Sequence, residues 1–80
     1  MELLNYFILQ EPEYVHELRI LLENRTSKVY AELFSNLFNF YVDFEHSTLT
    51  IQDDCGLFGD TVSEQEATIS IDVAKVAILL

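Results

Sequence analysis

Between Phe38 and Asp53 the chain alternates apolar and polar residues, and the alternation breaks once. Phe38, Phe40, Val42 and Phe44 alternate with Asn39, Tyr41, Asp43 and Glu45; beyond His46 and Ser47, Leu49 and Ile51 alternate with Thr48, Thr50 and Gln52. A period of two places successive side chains on opposite faces of a strand, one buried and one wet. The pattern predicts a β-hairpin over 38–53 with its turn at His46–Ser47, although the Asn-Gly type of turn is missing.

A period near 3.6 appears before it. Tyr14, Val15, Leu18, Leu21 and Leu22 recur on one helical face. Glu11, Pro12 and Glu13 suit the start of that helix, because proline fits a first helical position and acids complement the macrodipole. Asn24 is a suitable stop. A second helix is expected from Ser27 to about Phe38, with Ser27 as cap, Val29, Tyr30, Leu33, Phe34 and Leu37 as its apolar stripe, and Lys28 and Glu32 one turn apart. A strand over Lys28 to Phe34 competes, since Val, Tyr and Phe favour sheets. The stretch Met1 to Gln10 is apolar but lacks a basic region and a small-residue cleavage site, so it does not read as a signal peptide.

The stretch Asp53 to Glu66 holds both glycines, five acids and few apolar residues, and reads as a loop. After it the pattern is double. Ile69, Ile71 and Val73 alternate as in a strand, yet Ser70 suits a helix cap, with Asp72 in the first turn and Val73, Val76, Ala77 and Leu80 on one face. Helix from about Ile71 is preferred. The apolar stretch Val76 to Leu80 requires docking, into the core or onto a partner.

These elements sum to an α+β domain: two to three short helices on one face of a small antiparallel sheet that includes the 38–53 hairpin. Eighty residues suffice for a single domain, 1–80, with a thin core. The chain is 50% hydrophobic and 12% Phe and Tyr, too apolar for intrinsic disorder.

Charge narrows the function. Fourteen acids face four bases, for a net −10, and residues 41–80 carry −7 of it with Lys75 as their one base. Such a surface repels nucleic acid and anionic membranes and favours basic proteins. Acidity also serves simply to keep a small apolar protein soluble. The single cysteine, Cys55, excludes a disulfide framework and agrees with a reducing cytoplasm. No apolar run reaches the roughly 20 residues that span a bilayer.

Motifs for chemistry are scarce. His16 and His46 sit among acids with no implied pocket, and read as surface histidines. Cys55 stands among Asp53, Asp54 and Asp60, which oppose the lowered pKa that a nucleophile needs. The same aspartates around Gly56 and Gly59 suggest calcium, but on the EF-hand template Gly56 and Phe58 fall where ligands belong. No phosphate loop, zinc spacing or nucleophile elbow occurs, and so small a domain has little room for a substrate pocket. No cofactor, metal or catalytic role is assigned.

What remains is an acidic surface. Asp43 and Glu45 stand beside Tyr41 on the wet side of the first strand, and Asp53, Asp54 and Asp60 follow the second, with Glu64 and Glu66 beyond. Gathered on one side, these carboxylates would imitate the charge spacing of a phosphate backbone. The leading expectation is a non-enzymatic inhibitor or antagonist that blocks the basic site of a nuclease or nucleic-acid-binding complex, of the phage anti-defence or toxin-immunity type. Tyr41, Asp43, Glu45, Asp53, Asp54 and Asp60 are its expected contacts with Arg and Lys. The alternative is a self-associating structural or adaptor module, a homodimer built on Val76 to Leu80 and the aromatic surplus around Phe34 to Phe44.

Overall fold

A computed structural model describes residues 2–23, 29–54 and 66–79. The element order is α1 (Glu2–Gln10), a 3-10 turn (Pro12–Tyr14), α2 (Val15–Glu23), β1 (Tyr30–Phe34), β2 (Phe38–Asp43), β3 (Thr48–Asp53), β4 (Glu66–Ser70) and α3 (Ile71–Leu79). The four strands form one antiparallel sheet in the order β1-β2-β3-β4, and the three helices lie on one face of it. The α+β architecture expected from the alternation is therefore the architecture found.

The hairpin keeps the parity read from the sequence. Phe38, Phe40 and Val42 of β2 face inward beside Leu49 and Ile51 of β3, all at most 1% exposed. Ala31 and Leu33 extend this inner face on one side, opposite Val42 and Phe40. Ala67 and Ile69 extend it on the other, opposite Ile51 and Leu49. Onto this floor α1 lowers Leu3, Leu4 and Phe7, α2 lowers Leu18 and Leu22, and α3 lowers Ile71, Ala74 and Ile78.

Phe7 is the centre of the packing. Its ring meets Phe40 edge to face at 4.6 Å between centroids and 67° between planes, and Phe38 at 5.6 Å and 81°. Edge contacts set the positive rim of one ring against the negative face of another, and each adds about 0.5–1.5 kcal/mol beyond burial. The apolar stretch before Gln10, which drew no assignment to an element, is thus a helix. Its signal is the spacing of Leu3, Leu4 and Phe7, one helical face with Asn5 opposite.

The helix expected over Ser27 to Phe38 is corrected. Ser27 and Lys28 lie outside the described residues, and Tyr30–Phe34 is strand β1. Tyr30, Leu33, Phe34 and Leu37 do recur at helical spacing, but the same letters also carry a period of two. In the strand Ala31 and Leu33 turn inward while Tyr30, Glu32 and Phe34 turn out. Pairing with β2 decides between them: in the strand Ala31 and Leu33 extend the buried face of the sheet, and the ladder to β2 takes up the backbone groups on that side of β1. Ser35 closes the β1–β2 connection: its Oγ accepts from the Phe38 N–H at 3.0 Å, and its own N–H donates to the Phe38 carbonyl at 2.9 Å.

The helix expected from Glu11 to Asn24 is present as the 3-10 turn followed by α2, with Pro12 at its start. Glu11 does something else. It is 3% exposed, and its Oε1 accepts the Asn36 N–H at 3.1 Å, so a carboxylate ties the α1–α2 junction to the β1–β2 turn. Asn24 lies outside the described residues.

The double pattern near the C-terminus is two elements in succession. Strand β4 ends at Ser70 and α3 begins at Ile71. Ser70 Oγ accepts the Val73 N–H at 3.1 Å, the expected N-cap, with Asp72 in the first turn. Arg19 of α2 donates through Nη2 to the Ile78 carbonyl at 3.1 Å and so supplies a cation where α3 has none of its own. Of the loop expected over Asp53 to Glu66, Asp53 ends β3, Glu66 begins β4, and 55–65 lie outside the described residues.

Truncating a ring at the centre of this packing is costly. Phe40→Ala is expected to destabilise the domain by about 3–5 kcal/mol. The exposed Tyr30→Ala should change stability by about 0.5 kcal/mol or less. Urea unfolding followed by circular dichroism measures both, and equal losses would contradict the assignment of the two faces.

Candidate functional site: the open face of the sheet

The inner face of the sheet carries the helices, and among the described residues no helix covers the outer face, called the open face. Its residues follow from the register. Tyr30, Glu32 and Phe34 stand on β1, Asn39, Tyr41 and Asp43 on β2, Thr48, Thr50 and Gln52 on β3, and Glu66, Thr68 and Ser70 on β4. Two properties set this face apart. No described strand residue is Lys or Arg, while Glu32, Asp43 and Glu66 all lie on the open side. Three aromatic side chains accompany them: Tyr30 at 62% and Phe34 at 55% exposure, and the half-buried Tyr41.

Short contacts hold the face in shape. Phe34 meets Tyr41 edge-on at 6.0 Å and 75°. Gln52 Nε2 donates to Glu66 Oε1 at 2.7 Å, and the Thr50 and Thr68 hydroxyls meet at 2.9 Å. A shallow groove of about 300 Å³ runs between Tyr30, Glu32, Tyr41, Asp43, Thr48 and Thr50.

Asp43 is held by the β2–β3 turn. The strands pair as far as Asp43↔Thr48, which leaves Phe44–Ser47 as a four-residue loop, longer than the expected His46–Ser47 connection. Asp43 Oδ1 accepts the His46 N–H at 3.1 Å, and Oδ2 accepts from His46 Nδ1 at 2.7 Å. Ser47 takes a left-handed φ of 55°, a conformation that Gly adopts more readily. The turn thus forms without Asn-Gly because Asp43 bonds its own loop. It is also anchored to α3, whose first N–H, from Ile71, donates to the Ser47 carbonyl at 2.9 Å.

The ion pair shifts both groups. In Asp43, partial desolvation is the largest influence and acts upward. The hydrogen bonds from His46 and its charge outweigh it, so the carboxyl titrates below its ordinary 3.8. In His46, the hydrogen bond to Asp43 leads, followed by Coulomb attraction to Asp43. Desolvation opposes them and Glu45 adds to them, so the imidazole titrates above 6.5. Asp43, Glu45 and His46 bring one ligand atom each to within 4.8 Å of one another, a spacing common among exposed acidic groups without any ion.

The acidic residues expected to act together are divided by the fold. Tyr41 and Asp43 share the open face, and Glu45 is exposed in the adjoining turn. Asp53 stands opposite Phe38, about 17 Å along the hairpin from Asp43, and it faces inward at 4% exposure. Asp53 therefore does not share the open face with Asp43, as the expected grouping required: its parity is that of Leu49 and Ile51, not of Thr50. Asp54 is exposed at that same far end, and Asp60 and Cys55 lie outside the described residues. The residues missed were Tyr30, Glu32 and Phe34, hidden by the helical reading of β1. His16 and His46 are both exposed, as expected.

Among the described residues no helix is long and apolar enough to cross a membrane. No family model, curated protein or solved structure matches the chain.

Linkage fixes the sign of the pH effect. The His46 contribution to stability is full below 6.5 and is lost as pH rises through its raised folded value. The Asp43 contribution is present above 3.8 and is lost as pH falls through its lowered folded value. The pair therefore stabilises the turn most between those limits. A proton NMR titration should place the His46 midpoint above 6.5, and Asp43→Asn should lower it. The decline in stability from about pH 6 to about pH 8 should flatten in that variant. An unchanged His46 midpoint in Asp43→Asn would contradict the contact.

Proposed function

We propose that this protein is an acidic, non-enzymatic antagonist that binds the basic site of a nuclease or another nucleic-acid-handling protein through the open face of its sheet. The observation that carries the reading is the makeup of that face. It holds Glu32, Asp43 and Glu66 among Tyr30, Phe34 and Tyr41, on strands whose described residues include no Lys or Arg. The whole chain carries −10, so the face sits in a field that attracts cations at long range.

Three physical points support it. Carboxylates fixed on a sheet keep their spacing, and a rigid acceptor array loses little entropy when it meets arginine forks. Exposed aromatic rings are the residues that dominate binding energy at interfaces. A basic site shaped for phosphates is complementary to such an array, and its natural ligand competes for the same cations. The toxin-immunity and phage anti-defence roles both fit a chain of this size and charge.

A second reading is favoured by α3. Val73 and Val76 are 53% and 61% exposed, and with Ala77 and Asp72 they border a hollow of about 400 Å³. On this reading the chain self-associates through α3, and apolar burial rather than charge holds the copies together.

The two readings respond oppositely to salt. For the antagonist, capture from the lysate of the native host, with the captured proteins identified by mass spectrometry, should yield a basic nuclease or nucleic-acid-binding protein. That partner should be released as ionic strength rises from about 0.05 M to about 0.5 M. It should also be lost with the triple variant Glu32→Gln, Asp43→Asn, Glu66→Gln, and the purified chain should inhibit its activity. Capture that ignores both salt and the triple variant would refute the reading. For self-association, sedimentation velocity should show a dimer that persists in high salt and dissociates in Val76→Glu. A monomer at all concentrations would remove that alternative.

A further inference from the structure

We infer that the groove between β1, β2 and β3 is a seat for a single arginine side chain of the partner protein. The inference rests on the reading of the open face as a surface for a basic protein, and it names the chemistry that the face selects.

The register builds the seat. Tyr30 stands opposite Asp43, and Glu32 stands opposite Tyr41. These four residues occupy the corners of one two-by-two block, with carboxylates on one diagonal and phenol rings on the other. Directly opposed residues have Cβ atoms about 4.5–5.5 Å apart, and diagonal neighbours about 7–8 Å, within reach of long side chains. Thr50 and Thr48 flank the block, opposite Tyr41 and Asp43, and complete the lining of the groove of about 300 Å³.

Each part suits a guanidinium. A planar cation stacks on a tyrosine face while its N–H fork reaches a carboxylate at the edge, and Arg does both at once. An ammonium is a strongly hydrated point charge with no plane to stack, so Lys gains less. The Asp43 oxygens each accept one bond from His46. A carboxylate offers about four lone-pair sites, so acceptor capacity remains for a ligand while the pair fixes the group in place. Tyr41 is steadied by the edge contact with Phe34. A seat held by neighbours before binding spares the ordering cost of forming it. The described Lys and Arg side chains are elsewhere, Arg19 on α2 and Lys75 on α3, so His46, paired to Asp43 from the β2–β3 turn, is the one described cationic group at the edge of the groove.

The test uses the full chain labelled with nitrogen-15, titrated at constant ionic strength with N-acetyl-arginine amide and, separately, N-acetyl-lysine amide. Arginine should move the amide signals of Tyr30, Glu32, Tyr41 and Thr50 as one saturable set, and should bind about threefold tighter than lysine. Tyr30→Ala should weaken arginine binding about threefold, and Tyr30→Phe, which keeps the ring, should not. A dispersed amide spectrum checks that each variant is folded. Equal affinity for both probes, shifts spread equally over Glu13, Glu17 and Asp54, or indifference to Tyr30→Ala would each overturn the inference. Salt-sensitive capture of a basic partner that needs Glu32, Asp43 and Glu66 but not the Tyr30 ring would overturn the arginine seat and leave the antagonist standing. Arginine held in the groove with no basic partner captured would support the seat and overturn the antagonist.

Discussion

The contact of Phe7 with Phe38 and Phe40 is the constraint from which the rest of this structure follows. A helix nine residues long has little stability of its own in water, and a four-stranded sheet with one apolar face cannot leave that face wet. Ring-on-ring packing resolves both. It seats α1 on the inward rings of β2, and it goes with the parity that turns Phe38 and Phe40 inward. Through the ladder it sets the parity of every other strand, because a slip of one residue would turn the whole buried set to solvent. The described aromatic side chains thus serve on both faces of the sheet. Phe7, Phe38 and Phe40 close the core, while Tyr30, Phe34 and Tyr41 lie on the side that no described helix covers.

That division explains what could be read from the sequence. The β2–β3 hairpin was legible because its alternation is strict and its inner residues are large; no helical face can be drawn through Phe38, Phe40, Val42, Leu49 and Ile51. The α2 helix was legible because proline marks its start and its leucines keep a 3.6 period. Strand β1 was not, because Tyr30, Leu33, Phe34 and Leu37 fit a helix and Ala31 and Leu33 fit a strand. Only the presence of β2 alongside, invisible in a local window, separates the two. The stretch around Ser70 carried both patterns because both are used, a strand up to the serine and a helix capped by it.

The candidate site was half legible for the same reason. Asp43 and Tyr41 belong to the strand whose parity was clear, and they stand where the alternation puts them. Asp53 carries the opposite parity from Thr50, and counting along β3 would already have turned it inward. Tyr30 and Glu32, which complete the block with Tyr41 and Asp43, inherited the error in β1. Sequence proximity also misled: the aspartates near Asp53 are neighbours in the chain, but β3 carries them to the end of the hairpin far from Asp43. What no pattern predicts is the role of Glu11, a carboxylate at a helix start that reaches into the sheet layer to hold Asn36.

A bare sheet face in so small a domain calls for a physical reason. Three short helices cover one face of the four strands, and among the described residues no helix lies on the other. Threonine, asparagine and glutamine suit a face of that kind at Thr48, Thr50, Asn39, Gln52 and Thr68. Solubility does not, however, ask for Tyr30 and Phe34 at more than half exposure. Exposed rings add nothing to the core on the other side of the sheet, and on an otherwise polar face they gain little from their neighbours beyond the Phe34–Tyr41 contact. Nor does solubility ask that every charge on the described strands be of one sign, since mixed charges solubilise as well and repel less. Rings and like charges together are costly for the isolated domain and favourable against a surface of the opposite sign. It is this combination, rather than the charge alone, on which the proposal of a basic partner rests.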